Sequence, residues 1–287
     1  MSDAATGSSQ DFGEIVSSCL GVLHHQPAGL ICDIDGTISE IALVPKDARV
    51  DPGARVALRR LQRRLALVAI LTGRSALDGY AMIDLDGMVC IGNHGMERFQ
   101  GAERWDHPAA LASTEALSAA MSEVAGELEI LGLGDGLIFE DKRLSGSIHY
   151  RLSHNPAAAR AALLEATVRA TRNRGLILTE GRFIVELRPD LAINKGTAIS
   201  DLVSEFGLRS VVFFGDDLTD VDGFKAIRLL RDAGEVRGLR VGVRARETQP
   251  EVLAEVDHTV DGVAATVELL TALADALDAE CSTVREL

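Results

Sequence analysis

Lysine is scarce in this chain. Only Lys46, Lys142, Lys195 and Lys225 occur among 29 basic residues, so each is a candidate for a role that the planar guanidinium preferred elsewhere would fill badly. Basic charge as a whole is outnumbered, 29 Lys and Arg against 43 Asp and Glu, for a net charge of −14. That balance excludes a nucleic acid or an anionic membrane as partner, since both require a basic face. The four cysteines, Cys19, Cys32, Cys90 and Cys281, are widely separated with no CxxC spacing, which excludes an evident zinc cluster or disulfide framework. Cys32 and Cys90 sit in apolar runs and read as buried thiols. No apolar run approaches the roughly 20 residues of a membrane span. Met1 to Asp11 lacks a basic segment followed by an apolar one, so no secretory leader is expected there, and a cytoplasmic location is. A flexible tail is expected over residues 1–12. With 287 residues, 47% hydrophobic and 25% charged, the rest reads as globular, with length for one large domain or two smaller ones.

What is present is a series of short apolar runs, each ending in a polar cluster. Gly29–Cys32 ends in Asp33, Leu65–Leu71 in Thr72-Gly73-Arg74, Met88–Ile91 in Gly92-Asn93-His94-Gly95, and Ser210–Phe214 in Gly215-Asp216-Asp217. Leu239–Val243 is a fifth run, and Asp51-Pro52 opens a helix between the first two. Apolar strands separated by helices predict a parallel sheet covered on both faces, with its functional residues just past the strands' carboxyl ends. A C-terminal helix over Val263–Leu277 is expected to cover that sheet.

The middle of the chain differs. An Ala-rich helical stretch over Ala109–Leu131 precedes two strands, Leu137–Leu144 and Ser147–Leu152, joined at Ser145-Gly146. A helix over Asn155–Asn173 follows, then strands Leu176–Thr179 and Phe183–Leu187 joined at Glu180-Gly181. Hairpin, helix, hairpin describes a small antiparallel α+β unit. The predicted organisation is therefore an α/β core over 13–107 and 190–287, a Rossmann-like parallel sheet, with an α+β domain inserted over 108–189. Trp105 is expected to pack near the junction.

Asp33 and Asp35 are two apart at a strand end, so both side chains project to one side. Gly36 then permits a sharp turn, and its amide is positioned to approach an anion. Two carboxylates aimed at one spot repel unless a proton or cation lies between them, and a hard divalent ion such as magnesium is the usual answer. Asp216, Asp217 and Asp220 form a second acidic cluster at another strand end, where capping of the next helix is the plainer reading of Asp217 or Asp220. Thr72-Gly73-Arg74 supplies a hydroxyl and an amide at a helix start, a natural phosphate seat. Lys195 opens a helix against the local dipole, which points to an anion facing it.

Together, Asp33-x-Asp35-Gly36-Thr37, Thr72-Gly73-Arg74, Lys195 and Gly215-Asp216-Asp217-x-x-Asp220 resemble the four motifs of the haloacid-dehalogenase-like superfamily, in order. The insert resembles its C2-type cap. Within that superfamily the chain most resembles the trehalose-6-phosphate phosphatases, through Asn93-His94-Gly95-Met96-Glu97, Glu140-Asp141-Lys142, His149-Tyr150-Arg151, Gly181-Arg182 through Pro189, and Gly215–Phe224. The family commonly has Ser at Thr72, often Lys at Arg182, and an acidic residue at Val221.

The resemblance implies a magnesium-dependent phosphatase. Asp33 is then the nucleophile and Asp35 the general acid and base, with Asp33, the Asp35 carbonyl and Asp216 on the metal and Asp217 and Asp220 nearby. Thr72 and Lys195 hold the phosphoryl oxygens, among phosphate-side contacts that include Gly36, Thr37, Gly73 and Arg74. The cap strands alternate polar and apolar residues, as any sheet with one wet face does. Their polar face also mixes acceptors with donors, as a polyhydroxylated ligand requires. The resemblance makes Glu140, Lys142, Arg151, Arg182 and Glu186 sugar contacts, with Asn93 and His94 near the substrate; His94 alone reads equally as a turn residue. It implies trehalose 6-phosphate as substrate and a functional link to a trehalose-6-phosphate synthase. Another sugar phosphate (sucrose phosphate, or a glucosyl- or mannosyl-glycerate phosphate) and a sugar phosphomutase remain alternatives.

Overall fold

The computed structural model describes residues 11–246 and 248–285, with side chains described to Cys281. Its strands, in chain order, are β1 (Ala28–Cys32), β2 (Leu67–Leu71), β3 (Val89–Gly92), β4 (Glu97–Gln100), β5 (Glu103–Asp106), β6 (Ile138–Asp141), β7 (Gly146–His149), β8 (Leu176–Gly181), β9 (Ile184–Pro189), β10 (Ser210–Gly215), β11 (Arg237–Arg244) and β12 (His258–Asp261). They form an eight-stranded sheet, β12-β11-β10-β1-β2-β3-β4-β5, and a four-stranded sheet, β6-β7-β9-β8. The large sheet is parallel from β12 to β3, and β4 and β5 add an antiparallel meander.

The apolar runs make this sheet because both of its faces are covered. Successive residues of one strand enter opposite cores. Leu30 and Cys32 of β1, Val68 and Ile70 of β2, and Val212 and Phe214 of β10 pack on one face. Ile31, Ala69, Leu71, Val211 and Phe213 pack on the other. The first face is closed by the helices Phe12–Leu23, Pro52–Leu61 and Gly262–Arg285, the second by Lys195–Glu205 and Leu218–Asp232. Parallel strands two-sided in this way need continuous hydrophobicity rather than alternation.

The small sheet is wholly antiparallel. One face, with Ile148, Val185 and Leu187, packs on the helices Thr114–Ile130 and Pro156–Thr171 through Leu117, Val124, Leu128 and Leu163. The other face carries a cross-strand row in which Glu140 pairs with Ser147, Ser147 with Glu186, and Glu186 with Thr179.

Several expectations change. Met1–Gln10 of the tail expected over residues 1–12 lie outside the described residues, but Asp11 caps and Phe12 begins the first helix. The β8–β9 turn is not at Glu180-Gly181. Gly181 pairs with Ile184, so the chain reverses at Arg182-Phe183, with Phe183 at φ 58°. Ladder pairing outweighs the local preference for glycine in the turn, and it moves Arg182 from a strand face to a hairpin tip. Likewise β6 ends at Asp141, whose carboxylate accepts from Arg143 N (2.7 Å) and nucleates the reversal before β7. Because β7 ends at His149, Arg151 lies beyond it, stacked over the Phe183 ring at 4.5 Å. Trp105, on edge strand β5, is 50% exposed rather than packed. Among the described residues no helix is long and apolar enough to cross a membrane.

Ile148 is fully buried in the small sheet's own core, and Ile148→Ala should cost about 2–5 kcal/mol there. Hydrogen exchange is then expected to quicken in β6–β9 while β1, β2 and β10 keep their protection. Equal quickening in both sheets would show that the two cores unfold as one.

Candidate active site

Parallel register levels the carboxyl ends of three neighbouring strands. Cys32 pairs with Phe214 and with Ile70, so Asp33, Thr72 and Asp216 leave the sheet along one edge. Asp33 N donates to Phe214 O (3.0 Å), holding the first residue past β1 in the ladder's line. The helix Lys195–Glu205 starts beneath this edge, capped by Asn194, whose side chain accepts from Thr197 N. Lys195, only 1% exposed, sends its ammonium to Asp220 Oδ1 at 2.7 Å and Asp33 Oδ2 at 3.2 Å.

Asp220 is fully buried and takes three donors. Its Oδ2 accepts from the amides of Asp216 and Asp217, both at 3.0 Å, while Oδ1 takes Lys195. It thus shapes the loop after β10 and anchors the lysine. Asp217 caps the helix Leu218–Asp232, accepting from Leu218 N at 2.7 Å, and still borders the cavity. Asp216 accepts from Thr37 Oγ1 at 3.3 Å. The turn after Asp35 corrects one expectation. Gly36 N donates to Ser39 O (2.8 Å) and is not available to an anion. Gly36 is required instead by space: a Cβ there would lie 2.1 Å from Asp216 Oδ2, and its φ is +83°.

Asp35 is gripped by Arg74 through two hydrogen bonds, Nε to Oδ2 at 2.6 Å and Nη2 to Oδ1 at 2.7 Å. This fork fixes the carboxylate plane at the cavity wall. Thr72 Oγ1 accepts from Arg74 N (3.2 Å), and Thr72 is almost fully buried.

Electrostatically the edge is short of positive charge. Burial raises Asp33 to about 7, and Asp220 and Asp35 add to this, against the pull of Lys195. Burial likewise lifts Asp216 well above the carboxylate range, helped by Asp220, Asp33 and Asp217 and opposed by Arg182. Burial would lower Lys195, but Asp220 and Asp33 outweigh it and hold the ammonium charged. Carboxylate oxygens of Asp33, Asp216 and Asp220 lie within 4.8 Å of one another, all buried. Such an all-oxygen, charge-rich cluster fits a hard divalent cation. Asp33 and Asp216 line the cavity and Asp220, with three donors, does not, so Asp33 and Asp216 are the side chains open to hold one.

The polar row of the small sheet faces this edge across a cavity. Glu186 accepts from Lys142 Nζ (3.0 Å) and from the hydroxyls of Ser145 (3.1 Å) and Ser147 (3.3 Å), and pairs with His94 Nε2 at 3.0 Å. Burial would raise Glu186, yet Lys142 and then His94 hold it well below the usual carboxylate range. Lys142 Nζ also donates to Gly73 O at 2.9 Å, tying the small sheet to the loop after β2. Glu140 pairs with His149 at 3.0 Å, and Arg182, at its hairpin tip, reaches within 3.6 Å of Asp216 Oδ2.

Of the residues singled out from sequence, Gly36, Thr37, Asn93 and Asp220 do not line the cavity, and the rest do, from Asp33 and Asp35 to Arg151 and Arg182. Asn93 is fully buried behind the wall, donating to Glu97 Oε1 (2.6 Å) and Lys142 O (3.1 Å). Sequence reasoning missed Ser145, Ser147 and His149 as partners of the two glutamates; only the strand register could have revealed them. It also missed the Ile41–Pro45 loop and Phe183, which complete the wall and carry no motif.

The trehalose-phosphatase family model matches residues 31–255. A trehalose-phosphate phosphatase of Mycobacterium avium (strain 104) is 34% identical over 267 residues, 90% of this chain and 64% of that protein. One of Mycobacterium tuberculosis (strain ATCC 25618 / H37Rv) is 34% identical over 214 residues, 72% of this chain and 53% of that protein. The chain thus spans less than two thirds of the length of these curated relatives. In fold it is similar to the C-terminal domain of the C. albicans trehalose-6-phosphate phosphatase, with a TM-score of 0.74 and 17% identity over 93% of this chain and 97% of that one. The architecture is haloacid-dehalogenase-like, and with the small sheet and all of the large one except β12 and the start of β1 inside the matched stretch, the chain belongs to the trehalose-phosphatase family.

Proposed function

We propose that this chain is a magnesium-dependent phosphatase hydrolysing trehalose 6-phosphate to trehalose and phosphate, with the large sheet as catalytic core and residues 108–189 as the cap. The observation that carries the reading is the meeting of two unlike surfaces across one cavity. A buried acidic edge with Asp33, Asp216 and Lys195 faces a cap row of carboxylates, hydroxyls and cations suited to sugar hydroxyls.

Asp33 attacks phosphorus with a carboxylate oxygen, and the phosphorus–oxygen bond to the sugar breaks as the aspartyl–phosphate bond forms. Asp35 gives its proton to the departing sugar oxygen. In the second step water attacks the aspartyl-phosphate, Asp35 takes the water's proton, and Asp33 separates from phosphate. Arg74 orients Asp35 throughout, and one carboxylate oxygen must leave that fork to carry the proton. Thr72 and Lys195 offset charge on the phosphoryl oxygens, the usual demand of this transfer. Magnesium, held by Asp33, the backbone carbonyl of Asp35 and Asp216 with Asp217 nearby, supplies further charge neutralisation when bound. Glu140, Lys142, Arg151 and Glu186 read the sugar, and Arg182 brings the cap tip to the acidic edge, where closure excludes water. The substrate implies a trehalose-6-phosphate synthase as its supplier.

Asp33→Asn is expected to abolish phosphate release from trehalose 6-phosphate while leaving the circular dichroism unchanged; near-normal turnover by the folded variant would remove Asp33 from the nucleophile's place. Chelation should silence the wild-type enzyme and magnesium restore it, whereas full activity in chelator would end the metal part of the reading. Glu140→Ala should raise KM for trehalose 6-phosphate about tenfold and leave that for an aryl phosphate within about twofold. Equal losses on both substrates would make Glu140 structural.

A further inference from the structure

A second cavity lies between the helix Lys195–Glu205 and the β4–β5 meander, and it shares no lining residue with the first. Trp105 stands in its wall with half of its surface open to solvent. An indole left this exposed beside polar groups offers a flat apolar platform with a polar rim. His107 meets the Trp105 ring edge-on at 5.9 Å, and its Nδ1 is buried with no hydrogen-bond partner among the described residues.

The charges in this wall decide what kind of ligand fits. Both arginines are already committed: Arg98 to Glu205 at 2.6 Å, and Arg104 to Glu97 at 2.9 Å. Asp201 and Glu103 also line the cavity, are exposed, and have no cationic partner among the described residues. The uncompensated charge is therefore negative, which disfavours phosphates and other anions. Hydroxyl groups, as donors to these carboxylates and acceptors from the Gln100 amide, suit the same wall. An aromatic platform flanked by carboxylates and an amide, without free positive charge, matches a neutral sugar.

We propose that this cavity is a second carbohydrate site that binds a neutral disaccharide and discriminates against the phosphorylated sugar of the first cavity. Its ligand class is that of the product in the proposed reaction, so naming trehalose as the probe rests on that reading. One wall is the helix whose first residue, Lys195, grips Asp33 and Asp220, so occupancy borders the catalytic machinery without entering it.

Trp105 is the only tryptophan, so the protein's indole emission reports directly on this cavity. Titration with trehalose should give a saturable emission change that persists in Lys142→Ala, a substitution confined to the first cavity. Asp201→Ala, at an exposed helix position, should weaken that binding about tenfold. Calorimetry with Trp105→Ala should show a comparable loss of the heat of trehalose binding in the Lys142→Ala background. Flat emission, a change abolished by Lys142→Ala, or unaltered affinity in both Asp201→Ala and Trp105→Ala would overturn the site. A protein that releases no phosphate from trehalose 6-phosphate yet shows the emission change would refute the phosphatase reading and leave this site standing.

Discussion

Three carboxylates crowd one edge of the large sheet in nearly complete burial, and the Lys195 ammonium is the charge that lets Asp33 and Asp220 share it. A buried ammonium is itself expensive, and its placement at a helix start adds repulsion from the free amides there. The attraction of two carboxylates at 2.7 and 3.2 Å outweighs both. Removing one partner would strand the other's charge, at about 3–5 kcal/mol. The rest of the edge follows from this arrangement. Asp220, held by Lys195, receives the amides of Asp216 and Asp217 and so sets the loop after β10. Gly215 must be bare for that loop to close, since a Cβ there would lie 2.4 Å from Asp220 Cγ.

Glu186 is the corresponding centre of the small sheet's polar face. It gathers Lys142, His94, Ser145 and Ser147, and through Lys142 and His94 it joins the small sheet to loops of the large one. A carboxylate with this many donors stays ionised in spite of burial. The consequence is that Lys142 and Glu186, which border the cavity, also hold the small sheet against loops of the large one. A ligand entering this cavity would exchange protein–protein hydrogen bonds for its own, so its binding and the position of the small sheet are energetically linked.

The fold was legible because its signals are local. Gly29–Cys32 and Val211–Phe214 are apolar without interruption, as a strand buried on both faces requires, and their polar ends mark one edge. The weak points were edges and turns. The edge strands β5 and β12, and β4 beside β5, carry mixed residues because they are only partly covered, and no periodicity distinguishes them from loops. The β8–β9 reversal was misplaced because Gly181 is a better turn former than Phe183, while pairing with Ile184 decides the matter.

By itself the sequence determined which groups could do chemistry: Asp33, Asp35, Thr72, Lys195 and Asp216 each follow or precede a recognisable element, and position along a strand or helix is a local property. Only the tertiary structure decided their partners. Arg74 meets Asp35 across 39 residues, Lys195 meets Asp220 across 25, and His94 meets Glu186 across 92. It also turned the Gly36 amide inward to Ser39, withdrew Asn93 behind the wall and sent Arg182 to Asp216. These outcomes depend on strand register and on how two cores face each other. Both are set by contacts summed over the whole chain, which no short stretch of residues encodes.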